Sequence, residues 1–269
     1  MKKIFCLLFV AIILTSCNTQ KDNNDPGSTK SKNMHALVSE TENAVTYLSG
    51  RDSIKAYFAL PKGNEPFPAL IVLHEHWGLS QWIRTNADAF ANKGYAALAI
   101  DLYRGQKTNQ YDEAQALSLA LNADQVNKDL KAAFDYLEKN PMIDKERIGV
   151  IGWGMGGMYA LQSASSLRRL KAVISVYGRL TYERKTIRKI NCPLLAIFGE
   201  TDRGIPLIEI QNFEQTLNDL KKENKIIIYR NVGHAFMNPE SKETYNRDIT
   251  ERATREIFAF IEKHLGKKG

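Results

Sequence analysis

The stretch Gly152-Trp153-Gly154-Met155-Gly156-Gly157, with four glycines in six residues, limits the folds open to this chain more than any other. It follows Arg147-Ile148-Gly149-Val150-Ile151, a short β-branched run suited to a buried parallel strand. It leads into Gly156 to Ser166, small and apolar residues able to form a helix. A strand turning into a helix through glycines has two functional uses. One is the elbow of pattern G-x-S-x-G, whose strained central residue presents a nucleophile. The other is a dinucleotide loop, since Gly152, Gly154 and Gly157 also satisfy G-x-G-x-x-G. The second use needs an acidic residue ending a following strand about 20 residues on, and the sequence has none there. The elbow remains, with Gly154 where the attacking side chain belongs.

Downstream segments fit the elbow. Pro193 to Gly199 is an apolar strand running into Glu200-Thr201-Asp202-Arg203-Gly204-Ile205-Pro206, which places Asp202 on a loop at the strand's C-terminal end. Lys225 to Tyr229 is the next strand, followed by Asn231-Val232-Gly233-His234-Ala235-Phe236. Taken singly, Asp202 reads first as a helix N-cap for Pro206 onward and His234 as a turn residue. Taken together they give nucleophile position, acid, then histidine, the chain order of α/β-hydrolases. In that arrangement the acid fixes the imidazole tautomer and the imidazole takes the nucleophile's proton.

With His74-Glu75-His76-Trp77-Gly78, Asp101-Leu102-Tyr103-Arg104, Tyr177-Gly178 and Gly233-His234-Ala235-Phe236 added, the chain resembles the dienelactone hydrolase family over roughly Glu42 to Leu265. The resemblance implies a small α/β-hydrolase acting on esters or lactones that carry a carboxylate. The family's nucleophile is a cysteine in G-x-C-x-G-G, and Gly154 departs from it. Carried over residue by residue, Glu75 is the carboxylate beside the nucleophile, and the backbone N–H groups of Met155 and His76 form the oxyanion hole. Arg104 pairs with a substrate carboxylate, although the family's arginine falls one place later, where Gly105 stands; a surface arginine is its plain alternative. Tyr177 lines the pocket wall, or is simply packed in the core.

Loss of the nucleophile leaves the oxyanion hole and binding, together worth about 10³ to 10⁴ over the uncatalysed rate. No neighbour replaces it readily. Cys192 precedes Pro193 at the non-catalytic end of its strand, and Ser80 reads as the cap of a helix from Gln81 toward Lys93. Glu75 is the group suited to an unusual role, because an apolar pocket raises a carboxyl's proton affinity.

The amino terminus reads as a secretory signal over residues 1–16: Met1-Lys2-Lys3, then an apolar core from Ile4 to Leu14. Leu14-Thr15-Ser16-Cys17 resembles a bacterial lipobox, with cleavage before Cys17 and lipid on its sulfur. Residues 17–41 are then a lipidated cysteine and a polar tether, and Gln20-Lys21-Asp22 resembles a surface-export signal. The expected location is the bacterial cell envelope, anchored by lipid at the outer membrane or cell surface. Cys6 leaves with the signal and Cys17 takes the lipid, so Cys192 is alone and no disulfide is expected. The net charge of +7 falls by two when Lys2 and Lys3 are removed, and the remaining basic residues are scattered without aromatic interleaving, which argues against nucleic acid. Arg179, Arg184, Lys185 and Arg188 follow the sixth strand near the expected pocket mouth, where they attract anions.

The expected architecture of residues 42–269 is an α/β-hydrolase fold. It is a doubly wound, mostly parallel sheet of about eight strands with helices on both faces, and a helix from Tyr111 to Leu121 lies over the site. No cofactor or metal is expected. Two functions stay open: a pocket that holds a small ester, lactone or carboxylate without turning it over, or a hydrolase using water activated by His234-Asp202 or Glu75.

Overall fold

The computed structural model describes residues 43–181 and 183–266. The signal at 1–16, the lipobox Cys17 and the tether at 17–41 lie outside the described residues. Eight strands form one sheet: β1 (Ala44–Ser49), β2 (Asp52–Ala59), β3 (Phe67–Leu73), β4 (Ala96–Ile100), β5 (Ile143–Trp153), β6 (Ala172–Val176), β7 (Leu194–Gly199) and β8 (Asn224–Tyr229). Their order is β1-β2-β4-β3-β5-β6-β7-β8. β1 pairs with β2 as a hairpin and β2 pairs antiparallel with β4, whereas every pairing from β4 to β8 is parallel.

The helices are α1 (Gln81–Ala91), α2 (Tyr111–Ala120), α3 (Ala123–Lys139), α4 (Met155–Ser166), α5 (Arg184–Arg188), α6 (Leu207–Asp219) and α7 (Arg247–Leu265). The two-residue period of a strand divides the core. Ile71 and Leu73 of β3 pack on one face with Leu130 and Phe134 of α3, Tyr159 of α4 and Phe213 of α6. Leu70 and Val72 pack on the other with Ile83 and Phe90 of α1 and Ile257 and Ile261 of α7. This is the expected doubly wound sheet, apolar on both sides because helices cover both.

Two elements differ from the sequence reading. β5 begins at Ile143 rather than Ile148, because Phe67 pairs with Ile143 while Ala69 already pairs with Ile148. The extra residues bulge out, and Arg147 Nε meets Asp144 Oδ2 there at 2.6 Å. The short α5 was not anticipated; its five residues, mostly basic, bury only Ile187 and so show no helical apolar period.

Candidate active site

β5 ends in the elbow, and the backbone there favours glycine. Gly154 has φ 53° and ψ −116°, outside the regions open to most side chains. Its N–H donates to Val176 O at 2.9 Å and its carbonyl accepts from Met158 N at 3.1 Å. Gly156 serves a different purpose: a Cβ there would collide with the backbone carbonyls of Leu73 and His74, so its absence lets α4 start against the end of β3.

A Cβ at Gly154 would approach His234 and Glu75 without a clash. It would lie 3.6 Å from His234 Nε2 and 3.8 Å from Glu75 Cγ, both ordinary contacts. His234 Nδ1 meets Asp202 Oδ2 at 2.7 Å. The carboxylate can only accept, so Nδ1 carries the proton toward Asp202, and Nε2 is the ring nitrogen nearest position 154. Asp202 is buried and its Oδ1 accepts from Gly204 N at 2.8 Å. It is not a helix cap, since α6 starts beyond it with Pro206 at the N-cap. Three chain-distant residues thus meet around the elbow as the order of the sequence implied.

Glu75 approaches the same point through its Cγ. It is 3% exposed, and its Oε2 accepts from Asn238 Nδ2 at 2.6 Å. Burial pushes its carboxyl up to about 7, against the opposing pull of the Asn238 hydrogen bond and of His234. His74 holds the loop: its Nε2 accepts from Leu102 N at 3.1 Å, and its Nδ1 donates to Glu75 O at 2.6 Å. Asn238 and His74 were not singled out from sequence. His74 lies in the motif His74-Glu75-His76-Trp77-Gly78, whereas no local pattern marks Asn238, which lies 163 residues from its partner.

The two residues expected to donate to an oxyanion, Met155 and His76, both belong to the cavity wall. Met155 opens α4, so its N–H has no helical carbonyl to satisfy it, and both Met155 and His76 line the cavity beside Gly154. Burial, then the neighbouring His234 and His74, push the His76 ring down to about 4, so it is neutral near pH 7. Tyr177 is fully buried and lines the cavity, its ring 5.1 Å from that of His234, so it is both wall and core. α2 lies over the site as expected, contributing Tyr111 and Leu119 to a cavity of about 1040 Å³. The hydroxyls of Tyr103 and Ser118 donate to Met155 Sδ at 3.2 and 3.3 Å, and the Ser118 bond ties α2 to the elbow.

Arg104 requires a correction. It does not line this cavity: its guanidinium meets the buried Asp129 of α3 at 2.8 Å and Asp52 at 4.0 Å. The cause is the turn after β4, where Asp101 accepts from Tyr103 N at 3.0 Å and Gly105 N at 2.5 Å. That turn holds Arg104 at φ 57°. The arginine one place early therefore faces α3. Arg179 and Arg203 line the cavity instead. Arg104→Ala is expected to lower stability by about 1–2 kcal/mol, a buried-pair cost reduced because Arg104 is 32% exposed, and to leave ligand affinity unchanged. Thermal denaturation and calorimetric titration with a dicarboxylate check both halves.

The remaining candidates are structural. Cys192 is buried away from the cavity, its thiol pushed up to about 11 by burial. Ser80 stands at the N-cap of α1 but makes no side-chain cap hydrogen bond.

The model of the dienelactone hydrolase family matches residues 54–265. This chain belongs to the dienelactone hydrolase family. It is 27% identical, over 81% of its length and 92% of the relative's, to a Bradyrhizobium sp. protein named "Probable 2-oxo-3-(5-oxofuran-2-ylidene)propanoate lactonase". Among solved structures it is similar to dienelactone hydrolase from Anabaena variabilis, with 23% identity, a TM-score of 0.61, and coverage of 82% of this chain and 97% of that one. It is also similar to a dienelactone hydrolase-like promiscuous phosphotriesterase from metagenomic libraries, with 20% identity, a TM-score of 0.77, and 83% and 98% coverage. These structural likenesses carry the fold. The family is one of carboxylesterases and lactonases.

Proposed function

We infer that this protein is a lipid-anchored member of the dienelactone hydrolase family that binds a small ester, lactone or carboxylate and forms no acyl-enzyme with it. The observation carrying this reading is Gly154 itself: the elbow geometry, His234 and Glu75 converge on a position with no side chain. Family membership supports the ligand class, and the lipobox at Cys17 supports anchoring at the cell envelope. Arg179 and Arg203 on the cavity wall supply the positive charge that Arg104 does not.

A second reading is favoured by one observation. Because His234 Nε2 lies 3.6 Å from where a Cβ at 154 would stand, a water at that position has an acceptor for its proton. It lacks the fixed attachment that makes an attacking atom effective, so hydrolysis by this route is slow.

The expected result with nitrophenyl acetate is no stoichiometric burst and no covalent adduct at the elbow with thiol or serine reagents. Rapid-mixing kinetics and intact mass spectrometry check this. A burst that survives Cys192→Ala overturns the reading, and slow steady turnover lost in His234→Ala supports the water route.

A further inference from the structure

The cavity beside Gly154 is much larger than a simple lactone requires. At about 1040 Å³ it has about seven times the roughly 150 Å³ that holds one benzene ring. Part of its lining is apolar. Tyr111, Gln115, Ser118 and Leu119 of α2 stand at helical positions i, i+4, i+7 and i+8, so the helix turns a single stripe to the cavity. Tyr111 is 64% exposed and Leu119 79%, and only Ala114 of α2 is buried. This helix therefore holds large apolar side chains at the cavity mouth rather than in the core. Large apolar groups left in water around a concave site mark a surface that a ligand covers. Met155 and Met158 of α4 belong to the same lining, and methionine adapts its shape to irregular apolar partners.

Another part of the lining is cationic. Arg179 follows β6 and Arg203 follows β7; these strands pair in parallel, so both loops leave the same edge of the sheet. Both arginines are exposed, and among the described residues no carboxylate pairs with either, unlike Arg104 with Asp129 and Arg184 with Asp219. Of the cavity's own carboxylates, Asp202 is engaged by His234 and the Gly204 N–H, which leaves Glu243. Two unpaired guanidinium groups against one unengaged carboxylate favour an anion, and the guanidinium fork matches a carboxylate through two parallel hydrogen bonds. We propose that the ligand of this cavity is an amphipathic ester, with a carboxylate held at Arg179 and Arg203 and a bulky aliphatic or aromatic group laid along the α2 stripe at Tyr111 and Leu119. These four residues set which ligand is held and take no part in bond breaking.

The proposal rests on the reading that the pocket binds an ester, lactone or carboxylate, and one set of titrations separates the two. The full-length chain is titrated calorimetrically with monomethyl succinate, monooctyl succinate and the neutral methyl octyl succinate, each below its micelle-forming concentration. Monooctyl succinate is expected to bind about 10²-fold more tightly than monomethyl succinate: seven further methylenes, fully buried, would give about 10⁴-fold, and the α2 stripe is partly open to water. The double variant Tyr111→Ser with Leu119→Ser, confirmed folded by circular dichroism, brings that ratio below about tenfold. Arg179→Ala and Arg203→Ala each lower the preference for monooctyl succinate over its neutral diester by about 3- to 30-fold. Added salt weakens the acid preference and spares the chain-length preference, a split that general loss of structure would not produce. Equal binding of the two acids overturns the proposal and leaves the binding reading standing. No binding of any of the three overturns both. A chain-length gain untouched by the α2 double variant, or an acid preference untouched by both arginine variants, also overturns it.

Discussion

Gly154→Cys is expected to raise turnover of an activated ester by at least about 10³-fold while lowering the melting temperature by a few degrees. The gain follows from what deletion of a nucleophile costs in such sites, about 10⁶ in kcat when measured by mutation. A part of that, set by how well this pocket holds the substrate, returns with the thiol. The new Cβ meets His234 Nε2 at 3.6 Å and Glu75 Cγ at 3.8 Å, so nothing has to move to admit it. The loss of stability comes from the backbone, since φ is 53° at this position. A side chain held there costs on the order of 1–3 kcal/mol, and a domain of this size shifts about 2–4 °C per kcal/mol. Ester hydrolysis and thermal denaturation of the same preparation check the two halves together. A Gly154→Cys protein that is no less stable and equally inactive refutes the elbow.

The second large effect is on stability and its pH dependence. Burial lifts the Glu75 carboxyl from 4.5 to about 7 in the folded protein. Below pH 4.5 the group is protonated whether the chain is folded or not, so it contributes nothing. As pH rises toward 7 the unfolded chain releases a proton that the native state keeps, and stability falls. Above 7 the full cost is present, about 3 kcal/mol for a group this deeply buried. Glu75→Gln removes that charge and keeps an oxygen for Asn238. It is therefore expected to melt higher than the natural protein at pH 8, by roughly 6–12 °C, and at nearly the same temperature at pH 4. Melting curves at the two pH values decide it. An equal gain at both would show that relief of packing, not of charge, is responsible.

Much of this molecule is written locally. The strands are apolar runs because both faces of the parallel sheet are covered. The ends of β5, β7 and β8 carry Gly154, Asp202 and His234 because adjacent parallel strands deliver their C-terminal loops to one edge. Neither statement needs coordinates: strand length, glycine placement and chain order suffice. That glycine stands at the centre of the elbow is also plain from the sequence.

Arg104 shows where local reading ends. The Asp101-Leu102-Tyr103-Arg104 motif specifies a turn, and the turn was present, but the direction of the next side chain depends on the left-handed φ that Asp101 imposes. The partner it finds, Asp129, belongs to the buried face of a helix 25 residues later, and an acidic residue on an amphipathic helix carries no mark of what it will meet. The same holds for Glu75 and Asn238. The sequence determined by itself which residues could do chemistry and the order in which strands bring them forward. Only the tertiary structure decided which charges are neutralised inside the fold and which remain in the cavity, because burial and pairing depend on what packs from elsewhere in the chain.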